Sequence, residues 1–164
     1  MDEMGIKNLE RLEELASKGR FLKDGTLQTG PLALMEYMAK KATNREDPAV
    51  FQQGKAYWCY WAGWDNFALR HGMILPSDAE VLAAVEDGAD LDEATKKRVK
   101  NARNTLSRWA KFLKDQELIK LIRPAVSYPG RKRNAMWLLL LGGTDAENAA
   151  AEAQARTYFR LPPA

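Results

Sequence analysis

Between Leu91 and Asp115 the chain runs for 25 residues without a Gly or a Pro. Within this stretch Val99, Ala102, Leu106, Trp109 and Leu113 recur in alternating three- and four-residue steps. That spacing stacks side chains on one face of an α-helix. Asp90 and Glu93 supply an N-terminal cap pair. A helix of this length would be about 37 Å long. One continuous helix fits the pattern, and so do two helices broken near Asn101, Leu91–Lys100 and Ala102–Gln116. Beyond Gln116 the period changes. Leu118, Ile119, Leu121 and Ile122 read as a strand closed by Arg123-Pro124, Ser127-Tyr128-Pro129-Gly130 is turn chemistry, and Ala135–Leu141 reads as the returning strand. A long helix feeding a β-hairpin tipped by Arg131-Lys132-Arg133 is the firmest constraint on the fold.

The flanks are helical. Ile6, Leu9, Leu12, Leu15 and Ala16 mark a short helix stopped by Gly19. Residues 20–30 and 43–48 read as loops. Between them a helix is expected from Pro31, with Leu32, Met35, Met38, Ala39 and Ala42 as its apolar stripe. Ser77 and Glu80 form a capping box for a helix over Asp78–Asp87, expected to bury Val81, Leu82 and Val85 before Gly88 ends it. Thr144 and Glu147 repeat the box before an Ala-rich helix reaching about Tyr158. The fold class expected is mainly α with a small β-hairpin (α+β). The segments are an N-terminal helical arm (1–47), a central domain (48–143) and a C-terminal helix and tail (144–164).

Residues 49–72 hold Phe51, Tyr57, Trp58, Tyr60, Trp61, Trp64 and Phe67. Read as a helix, the segment spreads these rings around its axis. Such a helix is buried centrally, or shared with a second subunit through Trp58, Trp61 and Trp64, or serves as a base-stacking platform. Lys55 and Arg70 are the only cations near it, which weakens the last option.

With 164 residues and a 46% apolar fraction, the chain suits one domain with a packed core. The single Cys59 permits no intramolecular disulfide and no Cys-rich zinc site, and the single His71 no multi-His metal site. The apolar run Ala135–Leu141 is seven residues, against roughly 20 for a bilayer span. A reducing cytoplasm is the expected location. Asp90, Asp92 and Glu93 sit where a helix start explains them, and His71 where an imidazole caps helix carbonyls. Gly142-Gly143 is not a phosphate loop. No catalytic constellation, metal site or cofactor is expected.

Net charge is +3, from 25 Lys and Arg against 22 Asp and Glu. Residues 96–133 hold 13 of those cations and two acids, a local +11, and the rest of the chain carries −8. From Thr95 to Lys114 there are eight cations and no acid. A solvated helix face usually mixes signs; this one repels itself, which argues for a polyanionic partner.

Helix, turn, basic helix, strand, basic turn, strand over residues 77–141 resembles the winged helix-turn-helix superfamily. Thr105–Ile119 is similar to its passage from recognition helix to wing, except that Glu117 stands where the family often has glycine. The resemblance implies a DNA-binding protein, homodimeric, in transcription regulation or in plasmid or phage replication and maintenance. On the helix, Lys100, Arg103, Asn104, Ser107, Arg108 and Lys111 point away from the apolar stripe. Arg suits guanine, Asn adenine, and Lys phosphate. Arg131, Lys132 and Arg133 would reach backbone or minor groove. A non-catalytic protein-interaction adaptor or inhibitor on the same scaffold is the alternative, and RNA binding a third option.

Overall fold

The computed structural model describes residues 5–164; the first four residues of the 1–47 segment lie outside them. Helices α1 (Ile6–Ser17) and α2 (Thr29–Lys41) are joined by a small hairpin, β1 (Leu22–Lys23) and β2 (Thr26–Leu27), where a loop was expected. There follow α3 (Pro48–Gln53), β3 (Cys59–Tyr60), α4 (Trp64–Arg70), α5 (Asp78–Glu86) and α6 (Leu91–Asp115). Strands β4 (Ile119–Arg123), β5 (Val126–Tyr128), β6 (Arg131–Arg133) and β7 (Met136–Leu139) lead to α7 (Asp145–Tyr158). The fold is α+β.

The caps read from the sequence form as local hydrogen bonds. Ser77 Oγ accepts from Glu80 N–H while Glu80 reaches back, Asp90 accepts from Asp92 and Glu93 N–H, and Thr144 accepts from Glu147 N–H. The stretch from Leu91 is one helix of 25 residues, unbroken at Asn101. Its buried residues Ala102, Leu106, Ala110 and Leu113 rest on α2, which supplies Leu34, Met35 and Met38. A second clamp ties α1 to α2: Asn8, fully buried, donates from Nδ2 to the Ala39 and Ala42 carbonyls at 3.1 and 3.0 Å. These are orphan acceptors at a helix end.

The hairpin is longer than a single pair of strands. Strands β4 and β7 pair antiparallel, with a bulge between Leu121 and Arg123, and β5 and β6 continue outward to the turn at Pro129-Gly130. Strand β3 pairs with β7, Cys59 opposite Leu138, so the spatial order is β3-β7-β4. One buried core runs from Leu12 to Ala155, taking in all three segments of the chain.

Two sequence expectations are corrected here. Residues 49–72 are not one helix. They split into α3, the strand β3 and α4, because Gly54 ends α3 in left-handed backbone (φ 64°) and Gly63, at a positive φ of 80°, caps the start of α4. Tyr57–Tyr60 is instead a buried non-helical segment that bends at Trp58 before the strand β3. Helix α5 buries none of its residues; Val81, Leu82 and Val85 are exposed, Val85 by 79%. Helix α6 takes its packing from α2 and α4 instead, and α5 lies along its N-terminal part.

Candidate nucleic-acid interface

At about 100° per residue, Lys100, Arg103, Asn104, Ser107, Arg108 and Lys111 fall within roughly 140° of arc on α6, opposite the buried stripe. All six are exposed. The face is not free of acids once the chain is folded: α6 supplies two from its own ends and neighbouring elements bring the others. Lys96 pairs with Glu93, Arg98 with Glu80 of α5, Arg103 with Asp65 of α4, Lys111 with Asp115, and Lys120 with Glu152 of α7. Of the 13 cations in 96–133, eight then make no ion pair among the described residues: Lys97, Lys100, Arg108, Lys114, Arg123, Arg131, Lys132 and Arg133.

The Arg103–Asp65 pair is bidentate. Nε donates to Oδ1 at 2.9 Å and Nη2 to Oδ2 at 2.8 Å. These hydrogen bonds hold the Asp65 carboxyl below the usual carboxylate range, helped by the charges of Arg103 and Lys132. The charge of Lys132 reaches Asp65 from the β5–β6 hairpin, and a contact of Gly63 places the hairpin beside α4. At Gly63, the start of α4, a Cβ would lie 2.8 Å from the Asn134 side chain, just beyond β6. The hairpin therefore lies against the entry to α4.

Arg131, Lys132 and Arg133 are exposed on β6. Strand alternation puts Arg131 and Arg133 on one face of the ribbon and Lys132 on the other. Burial first, and then the charge of Arg133, depress the Arg123 guanidinium at the base of the hairpin. Arg108 donates to Thr105 Oγ1 at 3.3 Å, and Lys111 to Asp115 at 2.6 Å.

The three tryptophans do not form one surface. Trp58 is fully buried, with a left-handed backbone (φ 60°) and the Arg11 guanidinium over its ring, so it belongs to the core and not to a dimer interface. Trp64 stacks between Tyr60 and Trp137, with ring centroids 6.2 and 5.9 Å away. Trp61 alone is exposed, its ring edge-on to Phe159. The aromatic segment thus fastens α4 onto the sheet and onto α6, where Phe67 meets Trp109 at 6.1 Å.

His71 stacks on Phe67, and its Nδ1 lies 2.9 Å from the Phe67 carbonyl at the end of α4. Burial pushes the Cys59 thiol up to about 12, as a small core residue requires. Among the described residues no group of three His, Cys, Asp or Glu is arranged to hold a metal ion, and no helix is long and apolar enough to cross a membrane.

Asp65 is the member of this surface that sequence reasoning missed. It falls inside the segment read as one aromatic helix, and nothing local connects it with Arg103, 38 positions away. Comparison with known proteins gives no match to a family model, a curated protein or a solved structure.

Proposed function

We propose that the protein binds double-stranded DNA as a winged helix-turn-helix module, with α6 in the major groove and the β5–β6 hairpin as the wing. The observation that carries this reading is the placement of the cationic hairpin beside the cationic face of α6: Asn134, just beyond β6, lies against Gly63 at the start of α4, and Asp65, two residues on, binds Arg103 of α6. Arg108, Asn104 and Ser107 are the base-reading candidates beside Arg103. Lys100, Lys111, Arg131, Lys132 and Arg133 neutralise phosphates. The module serves transcription regulation, or replication and maintenance of a mobile element, as a homodimer and without catalysis.

Selection of bound duplexes from a random pool tests this. Arg108→Ala should relax preference at one base pair, by about 5- to 150-fold. Lys132→Ala should weaken all duplexes alike and lower the salt slope by about 1. A wild-type protein that enriches no sequence would remove the base-reading role.

The exposed Val81, Leu82 and Val85 of α5 favour a second reading, that this face meets protein. A second copy of the chain is the occupant that the homodimer reading requires. A solution mass near twice 18.5 kDa, halved by Val85→Asp, supports it, and a wild-type monomer excludes it.

A further inference from the structure

From the geometry of the Arg103–Asp65 pair we infer that Asp65 is a positioning residue, holding Arg103 in the orientation that reads a guanine. This rests on the DNA-binding reading and names the residue that sets its specificity at one base pair.

A guanidinium carries five N–H donors around a plane. Asp65 takes one edge of that plane, accepting from Nε and Nη2. The opposite edge keeps both Nη1 donors, and one Nη2 donor also remains. A guanine is read by two parallel N–H bonds to O6 and N7, and that end-on pair of Nη1 and Nη2 donors is what Asp65 leaves open. One carboxylate therefore fixes the side chain without using the edge that reads the base.

Stability does not account for the pair. Both side chains are largely exposed, 59% for Arg103 and 66% for Asp65. Exposed ion pairs contribute little to folding. Positioning contributes more, because an unheld arginine must freeze several torsions when it binds, and a held one has frozen them already. The pair is also neutral as a unit. Arg103 so held offers little long-range attraction to phosphate, while Lys132, which makes no ion pair among the described residues, lies within electrostatic reach of Asp65 on the hairpin side. Base reading and phosphate binding are thereby divided between neighbouring side chains. Freed of Asp65, Arg103 becomes one more mobile cation.

The test compares wild type, Asp65→Asn, Asp65→Ala and Arg103→Ala. Each is used in selection from a random duplex pool, and then in titrations of the selected duplex against single base-pair changes at several salt concentrations. The expected result is loss of a guanine preference of about 5- to 150-fold at the same base pair in all three variants, with preferences elsewhere kept. Asp65→Asn and Asp65→Ala should also bind unselected duplexes several-fold more tightly, with a salt slope steeper by about 1. Thermal midpoints should match wild type, since the pair is exposed. Wild-type preference retained at every position in both Asp65 variants overturns the positioning role while leaving DNA binding intact. A wild-type protein that binds no duplex overturns the DNA reading and this role with it.

Discussion

Glu117 holds a left-handed backbone, φ 57°, at the end of α6. Two hydrogen bonds wrap the helix end, Glu117 N–H to the Lys114 carbonyl at 3.0 Å and Leu118 N–H to the Leu113 carbonyl at 2.9 Å. This is the Schellman arrangement, whose left-handed position is usually glycine. The departure from glycine noted in the sequence thus leaves the geometry unchanged and adds the strain of a Cβ there. Glu117→Gly should stabilise the fold by about 0.5–1 kcal/mol, the left-handed cost of a side chain less the added freedom of glycine in the unfolded chain. A rise in the urea midpoint at constant slope checks it. Asn8 shows the opposite sign. Asn8→Ala strips donors from two carbonyls at the end of α2, each costing about 1–3 kcal/mol when left buried. The urea midpoint should fall accordingly.

Elements were legible where their signals are local. The caps at Ser77, Asp90 and Thr144 lie within three residues of their partners, and the Pro129-Gly130 turn announces the hairpin. The buried run Tyr57–Tyr60 was misread because a short apolar stretch covered on both faces has no period of its own. Helix α5 was misread for another reason. Its stripe of Val81, Leu82 and Val85 is amphipathic, but a stripe does not say whether its cover lies in the same chain. Glu80 links α5 to α6 through Arg98. That hydrogen bond, with those from Ser77, lowers the Glu80 carboxyl from 4.5 to about 2. A carboxyl lowered on folding stabilises above its unfolded value and loses that contribution as pH falls through the folded one. The hold of α5 on α6 should therefore be constant above about pH 4.5 and fade toward pH 2. Amide exchange in Asp78–Glu86 should accelerate over that window in wild type, while Glu80→Gln exchanges fast throughout. An exchange rate in α5 that ignores pH after correction for intrinsic chemistry would contradict this.

At the scale of the molecule the charge asymmetry survives folding in reduced form. Acids from α4, α5 and α7 reach into the basic region, and no local window reveals Asp65 against Arg103 or Glu152 against Lys120. The cations that make no ion pair among the described residues are divided between α6 and the hairpin, which the contact of Asn134 with Gly63 and the Asp65–Arg103 pair bring side by side. Duplex affinity measured against salt reports on this surface as a whole. The five phosphate contacts of Lys100, Lys111, Arg131, Lys132 and Arg133 should make affinity fall by about 500-fold between 50 and 200 mM salt, log-linearly. Replacing Arg131, Lys132 and Arg133 together by Ala should flatten the slope by about 3. No binding at 50 mM salt, or binding indifferent to salt, would contradict the account.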